Sequence, residues 1–186
     1  MPLTKVNAEG VNLSDTFAFT GSVTGAVSGS LGKVLQVKEV VDTTPRSNGS
    51  STLAFGDTGI DFRITPSATT SKILIHTSGV LTSGGGYFIG MTYNRTGTGS
   101  VVNIGHSVTE SASFPGTLLW MQRDDAVSGA TSSFSFSVLD APSTTNECRY
   151  FLGWAVQTGG TAYLGRRSSD TSLSCPTIIT AMEIAG

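Results

Sequence analysis

Apolar side chains in this chain recur at every second position, in short runs broken by turns. "IDFRIT" sends Ile60, Phe62 and Ile64 to one face and Asp61 and Arg63 to the other. "SFSFSVL" repeats the pattern with Phe134, Phe136 and Val138 inward. "CRYFLGWAVQ" groups Tyr150, Leu152, Trp154 and Val156 with Cys148. "KVLQVKEVV" is rich in β-branched residues and reads as a strand. "SKILIHTSGVLT", "GYFIGMTYN", "SVVNIGHSV", "GTLLWMQ", "TAYLG" and "TIITAMEI" read the same way. Turn residues separate them, among them Pro66 and the run Gly84-Gly85-Gly86. No stretch carries an apolar period of 3.6 over three turns. About eight to ten short strands without intervening helices predict an all-β protein, an antiparallel β-sandwich of jelly-roll-like type. A parallel sheet would need crossover helices.

The first thirty-two residues break this pattern. Val11, Leu13, Phe17 and Phe19 are among their few large apolar side chains, and the second half is a run of Gly, Ser, Thr and Ala. The expected division is an extended N-terminal anchoring arm with a Gly/Ser-rich connector over 1–32 and a β-sandwich head over 33–186. An extended segment that cannot satisfy its own backbone groups finds partners elsewhere. It adds a strand to another protein's sheet edge or wraps around sister chains. Val11, Leu13, Phe17 and Phe19 are the expected anchors, and the Gly/Ser stretch suits a flexible connector.

Composition narrows the function. The chain has 186 residues, 13% of them charged, and a net charge of −2. Its 11 Lys and Arg are scattered, with only Arg166 and Arg167 side by side among them, so the basic stripe of a nucleic-acid binder is missing. No apolar run approaches the ~18 residues of a membrane-spanning helix, so no membrane insertion is expected. "MPLTKVNAEG" lacks the apolar core of a signal peptide, which suggests synthesis in the cytoplasm. Cys148 and Cys175 are too few for a disulfide framework and read as two reduced thiols. Apolar and small neutral strand residues exceed what one core needs and charge is sparse, which predicts an obligate homotrimer.

Candidate chemistry is thin. Asp57-Thr58-Gly59 matches the aspartic-protease triplet, but it falls where a hairpin turn is expected rather than after an apolar strand. His76 and His106 have neither a matching carboxylate nor a G-x-S-x-G elbow. With Asp124-Asp125 they do not make a metal set, and no cofactor is expected. "RTGTGSV" echoes a phosphate loop without its Lys and helix. The sequons at Asn12, Asn48 and Asn94 are what a chain with roughly a quarter Ser and Thr produces by chance. Trp120 and Trp154 could stack on sugar rings, as in a carbohydrate-binding or hydrolytic sandwich, yet both sit in apolar strands that suit core packing. Nothing argues for an enzyme. Surface and shape remain. Tyr93, Arg95, Tyr163, Arg166 and Arg167 lie in or beside Gly-rich turns and are of the types enriched at recognition surfaces.

Four segments carry a resemblance: Gly32 to Val37, "ITPSATTSKILI" (Ile64 to Ile75), "LDAPSTTNECRY" (Leu139 to Tyr150) and the terminal "TIITAMEIAG". Together they resemble small all-β virion structural proteins of tailed phages, the tail-fibre or head-fibre type met in phages of cyanobacteria. "YFIGMTYNRTGTG" keeps the outline of an aromatic strand followed by Arg and a short turn. The resemblance implies a virion component made in a bacterial host. It implies a fibre-like appendage attached through 1–32 to another virion protein, with a host surface glycan as a candidate ligand. Capsid decoration, cement and head fibre are the alternatives.

Overall fold

The computed structural model describes residues 32–49, 56–84, 87–97, 101–104, 118–121, 131–172 and 174–186, with the side chains of Trp120 and Met121 left out. The chain divides into two units, Met1–Leu31 and Gly32–Gly186. The proposed arm and its anchors Val11, Leu13, Phe17 and Phe19 lie outside the described residues, as do His106 and Asp124-Asp125.

The described residues form eleven strands and no helix: β1 (Val34–Asp42), β2 (Arg46–Asn48), β3 (Gly56–Ile64), β4 (Lys72–Ser83), β5 (Ile89–Thr96), β6 (Val102–Ile104), β7 (Leu119–Met121), β8 (Ser132–Asp140), β9 (Cys148–Val156), β10 (Ala162–Leu164) and β11 (Thr177–Ile184). All pairings are antiparallel. In the first sheet β1, β11, β4 and β8 lie side by side, and β10 with β2 extends the far end of β4. The second sheet runs β3-β9-β5, with β6 and β7 following one another along the free edge of β5. If β6 and β7 are counted as one position and the short β2 and β10 are set aside, the sheets read 1-8-3-6 and 2-7-4-5. That is the strand order of a jelly roll, two Greek keys wrapped into a sandwich.

Period-2 alternation decides which side chains meet between the sheets. Ile73, Ile75 and Leu81 of β4, Phe134 and Val138 of β8, and Ile179 and Ala181 of β11 point inward from one sheet. Ile60, Phe62 and Ile64, Ile89, Met91 and Tyr93, and Tyr150, Leu152, Trp154 and Val156 point inward from the other. Three polar ties cross this apolar layer. The hydroxyls of Tyr93 and Thr77 lie 2.6 Å apart. The Tyr150 hydroxyl donates to Asp140 Oδ2 at 2.7 Å. Arg95 Nε sits 2.9 Å from the same oxygen without pointing its hydrogen at it, so that contact is an ion pair rather than an aligned hydrogen bond. Burial pushes the Tyr93 and Tyr150 hydroxyls far above the ordinary phenol range, and the Asp140 bond adds to the shift at Tyr150.

The Asp57-Thr58-Gly59 triplet is not a hairpin turn. It is a bulge inside β3, where the pairing with β9 shifts between Asp57 and Asp61. Gly59 takes φ 78°, a left-handed conformation that favours glycine. Thr58 turns in and donates to the Leu152 carbonyl at 2.7 Å, while Asp57 accepts the Gly59 N–H. Arg149 spans the bulge, reaching Asp61 at 2.7 Å and Asp57 at 2.8 Å, and lies over Phe151. The protease resemblance was therefore compositional.

Glu183 closes the other end of the sandwich. It is 0% exposed, on the inward face of β11. No cation balances it among the described residues; neutral donors do. Gln36 Nε2 of β1 donates at 2.7 Å, and Ser67 donates its backbone N–H at 2.6 Å and its hydroxyl at 3.1 Å. Burial raises its pKa, but the bonds from Gln36 and Ser67 outweigh that and leave it below the ordinary 4.5. One carboxylate thus joins β1, the Thr65–Ser71 turn and β11.

Replacing Glu183 by Ala strands three donors, and the expected loss is about 3 kcal/mol in urea unfolding at neutral pH. Because the folded pKa lies below the unfolded one, the contribution is complete above 4.5 and is lost as pH falls through the folded value. Wild-type stability should drop across that range, and a Glu183→Gln variant should show a flatter acid limb. Equal acid limbs in the two proteins would refute the assignment.

Candidate functional site

Of the recognition candidates read from the sequence, Tyr163, Arg166 and Arg167 are brought together. β10 ends at Leu164, and Gly165 turns the chain with φ 72°. The turn is held on two sides: the Gly165 N–H donates to the Val80 carbonyl, and its own carbonyl accepts from the Cys175 N–H, both at 2.9 Å. A Cβ on Gly165 would meet the Cys175 carbonyl oxygen at 3.0 Å, so close approach as well as conformation requires glycine here. Arg166 then bridges Ser174, and its carbonyl accepts from Thr82.

The guanidinium of Arg166 lies over the Tyr163 ring, 4.8 Å from its centroid. Its Nε donates to the Arg167 carbonyl and its Nη2 to the Ser168 carbonyl. Those bonds and the ring orient the plane of the group. Arg167 pairs with Asp170 through Nε at 2.7 Å and through Nη2. Asp170 also accepts from the backbone and hydroxyl of Ser172. Hydrogen bonds from Arg167 and then Ser172 hold the Asp170 carboxyl well below the usual carboxylate range. The pair is solvent-exposed, so its value is local order and not stability.

Beside these groups opens a cleft of about 460 Å³, lined by Val80, Arg166, Arg167, Ser172, Ser174 and Cys175. Two guanidinium groups, one already balanced by Asp170, leave the cleft with surplus positive charge. Serine hydroxyls and an apolar wall at Val80 complete it. Such a lining suits an oxygen-rich anion carried on a larger, hydroxylated body. It offers no activated nucleophile and no acid–base pair.

Tyr93 and Arg95 do not belong to this or any surface. Tyr93 is 0% exposed and Arg95 8%. The Gly-rich segment beyond them suggested a loop, but β5 runs on to Thr96 as a strand flanked on both edges. On its inward face Ile89, Met91, Tyr93 and Arg95 follow one another. The overlooked signal was Asp140, which continues the inward series Phe134, Phe136, Val138 and so needs a buried partner.

His76 stands on the outward face of β4 with Nδ1 2.9 Å from the Ser137 hydroxyl and Nε2 3.5 Å from that of Ser135. Both ring nitrogens meet serines, and among the described residues no carboxylate orients the ring. A second cleft of about 380 Å³, lined in part by Pro45, Arg46, Asn48, Asp57 and Trp154, has its charges tied internally: Arg46 to Asp42 at 2.9 Å and Asp57 to Arg149. Trp154 is only 4% exposed and packs in the core. The Trp120 side chain lies outside the described residues.

The two cysteines differ sharply. Cys148 is buried, and burial pushes its thiol pKa up, while Cys175 is exposed at the cleft rim. The native protein should take up one equivalent of a maleimide within minutes at neutral pH, lost in Cys175→Ser, and the second only on unfolding. Rapid labelling of both thiols in the folded state would contradict the burial of Cys148.

No family model matches the chain, and no curated protein sequence matches it. Among solved structures it is similar to the infectious bursal disease virus VP2 subviral particle, with TM-score 0.36 and 13% identity over 80% of this chain and 38% of that one. It is also similar to the structure of the Gx strain of infectious bursal disease virus (TM-score 0.38, 13% identity, 81% of this chain and 36% of that one). A mutant VP2 protein of the same virus in derived T=1 particles matches with TM-score 0.37 and 13% identity over 92% of this chain and 41% of that one. The chain spans about two-fifths of the length of these structures. Likeness at this level stops short of a shared family.

Proposed function

We propose that this chain is a non-enzymatic virion structural protein: a jelly-roll head that an N-terminal arm fastens to the particle, with the Arg166–Arg167 cleft as its contact to anionic polysaccharide on a host surface. The observation that carries the reading is the strand order, 1-8-3-6 over 2-7-4-5. Jelly rolls recur in virus shells and in lectin domains. Fold alone does not make a function, but three further facts bear on it. The buried acids Asp140 and Glu183 are spent on structural ties. The Arg166–Arg167 cleft carries guanidinium groups and hydroxyls rather than a catalytic set. The segments Ile64 to Ile75, Leu139 to Tyr150 and 177–186 resemble phage fibre-type proteins, and the first two turn out to hold the Ser67 donors and the Asp140–Tyr150 bond.

Two experiments test the two halves of the proposal. A chain lacking residues 1–32 should fold but be missing from purified particles; particles that carry it at full copy number would refute the arm. For the cleft, the probe is polygalacturonate, a carboxylated polysaccharide, with neutral dextran as control. Arg166→Ala with Arg167→Ala should weaken retention on polygalacturonate by about tenfold or more and leave thermal unfolding within the small shift usual for surface changes. Equal retention of variant and wild type would remove the cleft from the proposal.

A further inference from the structure

A strand at the rim of a sheet offers unpaired backbone donors and acceptors, and folds usually guard it with charge, bulges or shortness. Most rims described here are guarded in that way. β1 carries Lys38 and Glu39 and shifts register between Val34 and Gln36. β3 carries Asp57, Asp61 and Arg63 and is bulged. β6 and β7, like β2, are only three residues long. β8 is different. It pairs with β4 at nine consecutive positions, Ser132 to Asp140, without a shift, and β4 is its only partner among the described residues. It contains no Pro, Gly or basic residue. Its single acid, Asp140, ends the strand and is already engaged by Tyr150 and Arg95 inside the sandwich.

The order of residues on β8 says what this rim accepts. Ser133-Phe134-Ser135-Phe136-Ser137 reads the same in both directions about Ser135. An antiparallel copy of the strand, laid along it with Ser135 opposite Ser135, sets each Phe134 against Phe136 and each Ser133 against Ser137. One step further, Ser132 meets Val138. Residues directly opposite each other in an antiparallel pair share a face, so the phenylalanines stay inward and the serines outward on both sides. No charge lies between Ser132 and Leu139, so no like charges are brought together. Centring the pair on Ser137 instead would set Phe134 against Asp140. Phe136 points inward yet is only half-buried, and the Phe134 of an added copy covers its open flank.

We propose that two copies of the chain join edge to edge through β8, about a two-fold axis that stands perpendicular to the sheet and passes between the two Ser135 residues. Such an axis reverses the strand direction and keeps the inward side of the sheet inward, which is what antiparallel continuation requires. The β1-β11-β4-β8 sheet then runs on into β8-β4-β11-β1 of the second copy. The contact is isologous and uses one rim of each copy, so it closes at two, and the guards on the other rims oppose further growth. An unrelated strand would use the same backbone groups, but it would not require a sequence that is symmetrical about one residue.

The test is sedimentation equilibrium of the full chain up to about 200 µM, since a contact along one strand is at the small end of the interface range. A monomer–dimer equilibrium is expected, with a limiting mass twice the 19.2 kDa of one chain. Ser135 is exposed and points outward. Ser135→Lys sets two cations opposite each other on the axis and should weaken association about tenfold or more, with circular dichroism and thermal unfolding unchanged. Cross-linking reads the register. Opposite residues lie about 4.5–5.5 Å apart between Cα atoms, within reach of a disulfide. In a Cys175→Ser background, Ser135→Cys chains should therefore oxidise to covalent dimers. Ser133→Cys or Ser137→Cys chains alone should not, because like positions stand four residues, about 13 Å, apart along the strands. A mixture of those two should cross-link. Three results overturn the proposal: a full chain that is monomeric or trimeric throughout the range, association indifferent to Ser135→Lys, or cross-linking of Ser133→Cys or Ser137→Cys chains alone as readily as of Ser135→Cys. A benzophenone attached at Ser135→Cys that labels residues 1–31 instead of a second β8 would assign the rim to the N-terminal segment, and would overturn it too.

Discussion

Asp140 is the last residue of an inward-facing series on β8, and it brings a carboxylate into a layer otherwise filled by Phe, Ile and Tyr. Taking such a group out of water costs several kcal/mol unless partners replace its hydration. The two partners come from the opposite sheet: the Tyr150 hydroxyl of β9 and the Arg95 guanidinium of β5. One buried acid thus clasps three strands across the sandwich. Apolar packing would accept many sliding positions of one sheet over the other. The clasp accepts few, because displacement leaves a charge unpaired. Tyr150 in turn stacks on Phe62, with ring centroids 5.1 Å apart, so the constraint extends to the β3 edge.

Glu183 plays a matching part on the same rung, across Ile73 from Asp140, with a difference in kind. Its partners are neutral, and they belong to the chain's connections as much as to its strands. The two acids are therefore not interchangeable. One sets the distance and offset between sheets, and the other pins an edge strand and a turn to the strand they flank. Away from that rung the interior is apolar apart from the Tyr93–Thr77 tie, and the proposed binding chemistry is left to the margin. The Arg166–Arg167 cleft follows β10, a strand that together with β2 lies outside the eight jelly-roll positions. Function of the proposed kind can change there without disturbing the layers beneath.

Much of this was legible in the sequence. Clean alternation in "IDFRIT", "SFSFSVL" and "CRYFLGWAVQ" set strand, face and core correctly, since period 2 follows directly from the pleat. β2 escaped notice because three residues of "RSN" carry no period and are held by pairing with β10. The bulge at Asp57 was mistaken for a turn, because glycine at positive φ serves both equally well. At the candidate site, Arg166 and Arg167 stood out as neighbours, and Tyr163 through its nearness to them. Tyr93 and Arg95 were misplaced for the converse reason: residue type and a nearby run of glycines suggested a surface. Only the demand of a distant Asp140, forty-five positions along the chain, shows that they are interior. Long-range pairing of that sort leaves no local trace.

The β8 strand has one more property. Its "SSFSFS" alternates so regularly that moving it two residues along β4 would return serines to solvent and phenylalanines to the core. Hydrophobicity alone cannot distinguish those alignments. Asp140 can, because a two-residue slip brings Val138 or Pro142 opposite Arg95 and leaves the guanidinium with no counter-ion. The acid therefore acts as an index mark on a ruler of repeating divisions. A chain that has lost it would keep its strands and its sandwich, yet would sample neighbouring alignments during folding and settle into them slowly and unevenly.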